Sequence, residues 1–185
     1  PVCVDGLIRK INSIYASSDA LKLPPGAFDI GGEFERRDAI HRAKSTPTIV
    51  VTTSGMLAGG PAVEYARALL GDPRHKLILT GYQDGNAPSR QLLKLASGGM
   101  SGKVVRLPGQ DGTNVEFRAA APAVQIGLSA HADQAGLLDY TSRIDADVIA
   151  LVHGEPAAQE ELEAQLRKRN PECRVVCGPD QLSVP

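Results

Sequence analysis

Two of the four histidines follow apolar segments and stand among small and polar residues. His131 lies in the run Ser-Ala-His-Ala-Asp, and His153 lies in the run Val-His-Gly-Glu. An imidazole can bind zinc or move a proton near neutral pH, so both are candidates for metal binding or acid–base catalysis. Each has a simpler alternative. His153 could be a hydrogen-bonded loop residue, and His131 could lie beside a helix cap formed by Ser129 or Asp133.

Two turns rich in small residues could bind a phosphate group. Ser54-Gly55 and Gly81-Tyr82 each follow an apolar segment. Small residues allow an anion to approach the backbone N–H groups of such turns closely. For Ser54-Gly55, the alternative is a tight connection between a strand and a helix, without any ligand.

Arg90 and Lys94 are candidates for contacts with the phosphates of a nucleic acid. They lie four residues apart in a predicted helix and therefore share one face of it. The alternative is an ordinary solvated helix face. His41 and His75 lie in charged segments and are predicted to be solvated surface residues.

The spacing of residues excludes several kinds of site. The sequence has no HxH, HxxxH or HExxH pair, so neighbouring histidines cannot assemble a zinc site. It also lacks the nucleophile elbow G-x-S-x-G and the P-loop G-x-x-x-x-G-K-[ST]. A small Rossmann-like module that binds a nucleotide at Ser54-Gly55 remains an alternative.

The composition indicates a globular protein with balanced charge. Of 185 residues, 42% are hydrophobic and 22% are charged, and the formal net charge is -1. These values allow a buried core and exclude a disordered protein. Any nucleic-acid binding must then depend on a local basic patch. Tryptophan is absent and aromatic residues make up 4%, which argues against a sheet of exposed rings that stack on bases.

The sequence also predicts the cellular compartment of the protein and the state of its cysteines. No apolar run approaches the roughly 20 residues that span a bilayer, and no signal peptide opens the sequence, so we expect a cytoplasmic protein without a membrane partner. Cys3, Cys173 and Cys177 are odd in number and lack CxxC spacing, which favours reduced thiols. Because the sequence begins with Pro1, we expect a processed product or a piece of a longer chain.

Hydrophobic periodicity predicts alternating helices and strands. The first predicted elements are a helix over 4–16, a loop over 17–34, a helix over 35–43 and a strand over 48–52 that is buried on both faces. The later ones are helices over 60–70, 86–96, 134–143 and 156–169, and strands over 77–80, 103–106, 115–118, 123–128, 148–152, 174–176 and 182–184. The pair at 103–106 and 115–118 is predicted to form a hairpin. The order of elements predicts an α/β fold of βαβ units around a mainly parallel sheet.

Around the candidate residues His131, His153 and Ser54-Gly55, the sequence resembles the β-CASP branch of the metallo-β-lactamase superfamily. The members of this branch are zinc nucleases that process RNA and, in some cases, DNA. The matching stretches are PVCVDGLIRKINSIY (1–15), TIVVTTSGMLAGGPAVEYARALL (48–70), LILTGYQDGNAPSRQLL (77–93), IGLSAHADQAGLLDY (126–140) and VIALVHGEPAAQEEL (148–162). The segment SAHAD, followed about twenty residues later by VHGE, is the most specific part of this resemblance.

The resemblance implies roles for the candidate residues. His131 would contact the scissile phosphate and act as general acid, and His153 would bind one of two zinc ions. A metal-bound hydroxide would attack phosphorus in line. The other candidates for binding the substrate, RNA or possibly DNA, are Ser129, Ser54, Gly55, Gly81, Tyr82, Arg90 and Lys94.

The sequence also departs from the family pattern. The HxHxDH motif, a further metal-binding histidine and the bridging aspartate of the N-terminal lactamase half are absent. Residues 1–120 correspond to most of a β-CASP domain, and residues 121–185 to the segment that returns to complete the lactamase domain. We therefore expect the RNA-binding and site-completing part of a zinc-dependent ribonuclease. Alone it should be inactive and bind zinc weakly, and the missing lactamase half would be its partner.

Two alternatives to this interpretation stay open. One is a non-catalytic relative that binds RNA or a catalytic partner. The other is the Rossmann-like nucleotide-binding module, which needs no family resemblance.

Overall fold

A computed structural model of the chain describes residues 1–17, 24–98, 103–109, 112–128 and 131–178. The chain divides into two compact units, Pro1–Leu128 and Ser129–Pro185. The predicted domain boundary near residue 120 lies before this division and stays a prediction. Ser129 and the predicted strand over 182–184 lie outside the described residues.

The first unit alternates strands and helices along most of its length. Its elements are β1 (Val2–Asp5), α1 (Leu7–Ala16), β2 (Ala27–Asp29), α2 (Glu33–Ala43), β3 (Ile49–Thr52), α3 (Pro61–Leu69), β4 (Leu77–Leu79), α4 (Pro88–Ser97), β5 (Lys103–Pro108), β6 (Asn114–Ala119) and β7 (Ala123–Gln125). The second unit contains α5 (Gln134–Ser142), β8 (Val148–Leu151), α6 (Pro156–Arg169) and β9 (Arg174–Cys177).

Parallel pairing dominates among the described strands. The first unit has a sheet in the order β2-β1-β3 and the pair β4-β7, and the second unit has the pair β8-β9; all of these are parallel. The hairpin β5-β6 is antiparallel, as its alternating sequence predicts. The predicted α/β class with βαβ units is thus confirmed. The strands form several small sheets rather than one continuous sheet.

The first two strands were not predicted. The predicted helix over 4–16 begins only at Leu7, because Gly6 takes a φ of 79° that ends β1 and opens the helix. Within the predicted loop over 17–34, Ala27–Asp29 forms β2 and pairs with β1. A strand of three residues is too short to show the period-2 alternation by which strands are recognised.

The prediction that β3 is buried on both faces is wrong for this chain. Ile49 and Val51 are exposed, whereas Val50 packs on a core cluster that includes Cys3 and Tyr65. Strands covered on both faces are apolar throughout, but an apolar run does not by itself supply the second covering layer.

Among the described residues, each unit has its own hydrophobic core, with two clusters in the first unit and one in the second. The largest, in the first unit, includes Leu57 of the β3–α3 connection, Leu92 of α4 and Leu107 of β5. A second cluster lies between the β2-β1-β3 sheet and helices α2 and α3. In the second unit, α5, α6 and β9 contribute Leu138, Leu166 and Val175 to one cluster. None of the helices in the described residues is both long and apolar enough to cross a bilayer.

Candidate functional site

Arg90 and Lys94 line the same groove in the first unit. Pro88 starts helix α4 at its first position, and the fully buried Leu92 turns one face of the helix into the core. Arg90 and Lys94 are exposed along a groove of about 500 Å³ between α4 and β7. The structure therefore brings this predicted pair together on one surface.

The groove suits an anion. The described residues that line it are Arg90, Leu93, Lys94, Ala96, Ser97, Ala123, Val124 and Gln125. None of these side chains carries a carboxylate, so the two cations are not neutralised by the groove wall. Exposed cations attract phosphates over a distance of roughly 8 to 10 Å at moderate ionic strength.

The loop after β4 is fixed by two amide side chains. The carbonyl oxygen of Gly81 accepts hydrogen bonds from Nε2 of Gln83 at 3.1 Å and from Nε2 of Gln125 at 2.9 Å. Since Gln125 also lines the groove, the Gly81-Tyr82 loop is tied to one of the groove walls. Tyr82 is 61% exposed, and a Cβ at Gly81 would meet no atom within 4 Å. This loop therefore has open space beside the Gly81 backbone and an exposed tyrosine ring.

The Ser54-Gly55 turn lies at the start of the eight-residue connection, 53–60, from β3 to α3. The amide of Leu57 donates to the carbonyl of Ser54 at 3.2 Å, and the amide of Ala62 donates to the carbonyl of Thr53 at 3.1 Å. These two amides are committed to the turn and are not available for a phosphate. Space is open beside Gly55. A phosphate contact at Ser54-Gly55 stays a prediction.

Sequence reasoning missed a buried polar pair beside these loops. Ser89, at the second position of α4, is 0% exposed, and Gln83 is 5% exposed. The Ser89 hydroxyl donates to Oε1 of Gln83, and the Ser89 amide donates to the carbonyl of Met56 at 3.3 Å. Serine and glutamine near a turn indicate only a polar loop, so no pattern in the sequence shows that this pair is buried.

A buried ionic cluster at the end of β1 was also missed. Arg36 donates from Nε and Nη2 to the carboxylate of Asp5 at 2.7 and 3.2 Å, and from Nη1 to Glu64 at 2.9 Å. The Tyr65 hydroxyl donates to Oδ2 of Asp5 at 3.0 Å. Hydrogen bonding to Asp5 raises the pKa of Arg36, and burial, reinforced by the Asp5 charge, raises the pKa of Tyr65. Because these groups satisfy one another's hydrogen-bonding capacity, the cluster is a structural connection between β1, α2 and α3 rather than a vacant site.

In the second unit, Asp133 caps helix α5. Its Oδ1 accepts a hydrogen bond from the amide of Gly136 at 2.8 Å. The capping interpretation is therefore confirmed for Asp133. His131 is exposed in the bend that leads to this cap, and its predicted catalytic role is not tested by the geometry.

His153 lies in a turn with an unusual backbone between β8 and α6. Its φ is 65°, in the left-handed region, and the φ of Gly154 is 117°. Nε2 of Gln159, in the first turns of α6, donates to the His153 carbonyl at 2.9 Å and fixes this conformation. Backbone conformations of this kind cost of order 1 kcal/mol or more and cluster at functional sites.

The described residues do not by themselves form a zinc site. Structural and catalytic zinc sites use three or four protein ligands. Within the described ranges, no three His, Cys, Asp or Glu side chains lie close enough to hold a metal ion. His153 could supply one ligand, and the others would have to come from outside these residues.

The remaining histidines, His41 and His75, and the cysteines are not among the predicted site residues. His41 is exposed as predicted, whereas His75 is half-buried, with its amide bonded to the carbonyl of Asp72. Cys3 is buried, and burial raises its pKa. The Cys177 thiol donates to Oε2 of Glu163 at 3.2 Å, and this hydrogen bond raises the pKa of the thiol.

Comparison with known proteins gives two family matches. Residues 1–92 match the Beta-Casp domain, and residues 118–176 match the Zn-dependent metallo-hydrolase RNA specificity domain. The chain belongs to the β-CASP family of the metallo-β-lactamase superfamily, as its sequence predicts. The matches span both compact units.

Three relatives illustrate the range of similar proteins. The transcription termination factor FttA of Thermococcus kodakarensis is 33% identical over 91% of this chain and 28% of its own length. The RNase aCSPSF2 of Saccharolobus solfataricus is 30% identical over 88% of the chain and 31% of its own length. An RNase J-like protein of Methanocaldococcus jannaschii is 36% identical over 84% of the chain and 36% of its own length. The chain thus spans between 28% and 36% of the length of these relatives.

Proposed function

We propose that this chain is the RNA-binding and site-completing part of a β-CASP ribonuclease that acts in the cytoplasm. One observation carries the proposal: the cationic groove of Arg90 and Lys94 lies in a chain that also matches an RNA specificity domain at residues 118–176. Relatives named as an RNase and as a transcription termination factor support RNA rather than DNA as the substrate.

The groove and its loops suit a single strand. Arg90 and Lys94 would contact backbone phosphates, and the exposed ring of Tyr82 would stack on one base. Base stacking on one tyrosine is compatible with the low aromatic content, because it needs no sheet of rings. Phosphate contacts then supply most of the affinity and make it depend on salt.

The histidines have separate proposed roles in a complete protein that carries this segment. His153 would be a metal ligand, and His131 would donate a proton to the leaving oxygen. His153→Ala should then lower metal content, whereas His131→Ala should lower turnover while metal content is largely kept. An equal loss of metal in both variants would contradict this division. Alone, the chain should cleave no RNA and bind zinc weakly, since the described residues form no complete ligand set.

The groove is tested by RNA binding of the chain at several salt concentrations. A fluorescein-labelled single-stranded RNA titrated with protein gives the dissociation constant from anisotropy. Arg90→Ala combined with Lys94→Ala should weaken binding and flatten the log–log salt slope by about one to two units. Unchanged affinity and slope would place the RNA elsewhere.

A matched control removes two other positive charges from the same unit. Lys10 and Arg67 are exposed and do not belong to the groove lining. Lys10→Ala combined with Arg67→Ala changes the net charge by the same amount and should leave the salt slope nearly unchanged. An equal effect in both double variants would show that net charge, not the groove, governs binding.

A further inference from the structure

Ser89 is the meeting point of three segments in the first unit. Its amide binds the Met56 carbonyl, immediately after Gly55 in the β3–α3 turn. Its hydroxyl binds the Gln83 side chain, whose Nε2 in turn binds the Gly81 carbonyl. The next residue, Arg90, lines the cationic groove.

We propose that Ser89 and Gln83 are positioning residues, whose side chains hold the Gly81-Tyr82 loop and Arg90 in the register required by consecutive RNA phosphates. The proposal rests on the RNA-binding function proposed above. Neither Ser89 nor Gln83 lines the groove, and both are nearly or fully buried. They would act through the groups that contact RNA, without touching it themselves.

The polar character of the pair supports this role. Two apolar side chains would fill the same space, but apolar packing has little directional preference. A buried amide must satisfy both ends, and Gln83 does so by accepting from Ser89 and donating to Gly81. This requirement selects one rotamer and therefore one distance between the loop and the start of α4.

Gln125 provides a second connection to the same loop. It donates to the Gly81 carbonyl and also lines the groove beside Arg90 and Lys94. The Gly81 carbonyl is thus held from the side of α4 and from the side of β7. A loop fixed from two directions loses less conformational entropy when its backbone binds a phosphate.

The experiment measures RNA affinity, its salt slope and the thermal midpoint for each variant of the chain. Ser89→Ala and Gln83→Met should each raise the dissociation constant about fivefold and reduce the salt slope by about one unit, the loss expected for one phosphate contact. Combining them should add little, because both substitutions break the same connection. If one variant fails to fold, the other still tests the proposal.

Two controls separate positioning from stability. Tyr65→Phe removes a buried hydrogen bond elsewhere in the same unit, and Ser13→Ala removes an exposed helical one. Both should leave RNA affinity and salt slope unchanged, even where the thermal midpoint falls. If Tyr65→Phe weakens binding as much as Ser89→Ala does, the effect of Ser89 is only structural and the proposal is overturned.

The Arg90→Ala and Lys94→Ala double variant distinguishes a failure of the positioning proposal from a failure of the proposed RNA-binding function. If this variant loses affinity but Ser89→Ala and Gln83→Met do not, the positioning proposal fails and the proposed function stands. If the double variant binds RNA normally, the groove assignment fails and the positioning proposal fails with it.

Discussion

Asp5 and Arg36 form a two-point ion pair that joins the end of β1 to helix α2. Nε and Nη2 of Arg36 donate to the two carboxylate oxygens at 2.7 and 3.2 Å, and Asp5 is 2% exposed. Such a pair is not strong evidence of net stabilisation, because desolvation offsets much of the attraction. Removing one partner lowers the stability strongly, since it leaves the other charge buried without its counter-ion.

The first prediction follows from that asymmetry. Arg36→Met should lower the free energy of unfolding of the first unit by about 3 kcal/mol, because, among the described residues, Asp5 then keeps only the Tyr65 hydroxyl as a side-chain partner. Urea unfolding followed by circular dichroism measures the change. Arg37→Met is the neighbouring control, in which an exposed pair with Glu33 is lost at a cost of about 0.5 kcal/mol or less. Equal losses would contradict a structural role for the Asp5 pair.

Alkaline pH should destabilise the same cluster. Burial and the neighbouring Asp5 charge raise the pKa of Tyr65, so the folded state favours the protonated phenol. The stabilisation is complete below the unfolded tyrosine pKa of about 10 and is lost as pH rises above that value. As pH rises above about 10, the thermal midpoint should fall, and it should fall less steeply in Tyr65→Phe.

An exposed tyrosine provides the control for this pH dependence. Tyr140 is 64% exposed and lies outside the Asp5 cluster, so Tyr140→Phe is the matched loss of one phenol hydroxyl. Cys3 packs in the same cluster as Tyr65 and has a raised pKa, so it adds an earlier loss of stability above about pH 8.5. A slope unaffected by Tyr65→Phe would show that Tyr65 does not ionise on unfolding.

Thiol reactivity gives a third prediction, in the second unit. The hydrogen bond to Glu163 raises the pKa of Cys177, while Arg167 lowers the pKa of Glu163. Glu163→Gln removes the negative charge beside the thiol, so Cys177 should react severalfold faster with iodoacetamide at pH 8. Arg167 keeps its hydrogen bond to the Val175 carbonyl in this variant.

Mass spectrometry of the Cys177 peptide after a short alkylation pulse measures that rate. Glu161→Gln is the matched control, because Glu161 pairs with Gln165 rather than with the thiol. If Glu163→Gln and Glu161→Gln react alike, the Glu163 carboxylate does not control the thiol.

Local sequence patterns predicted the long elements better than the buried polar contacts. Helix α6 occupies the predicted range 156–169, because its charge pattern and proline start are local signals. Asp5 and Arg36 lie 31 residues apart, and Ser89 and Gln83 meet through a bend of the chain. No local period encodes such pairings, so they became visible only in the fold. The roles of His131 and His153 came from the family resemblance and stay predictions.

The start of helix α5 could be held by the Asp133 cap or by His131, and two substitutions distinguish these interpretations. Asp133→Ala should lower the stability of the second unit by about 1 kcal/mol, since it exposes the Gly136 amide. His131→Ala should cost less, because its side chain is exposed. Hydrogen exchange of the α5 amides measures both losses. A larger loss for His131→Ala would mean that the histidine, and not the aspartate, holds the start of the helix.

The left-handed backbone at His153 gives the last prediction. Glycine adopts a φ of 65° without the steric cost that a Cβ imposes, so His153→Gly should be more stable than His153→Ala by about 1 kcal/mol. Both variants lack the imidazole, so the comparison isolates the backbone from any role of the ring. His41, exposed within helix α2, provides a control of opposite sign, because alanine there should exceed glycine in stability by about 1 kcal/mol. Urea unfolding of the four variants measures both differences. If His153→Ala is at least as stable as His153→Gly, the left-handed backbone at position 153 is not strained, and the hydrogen bond from Gln159 compensates no strain.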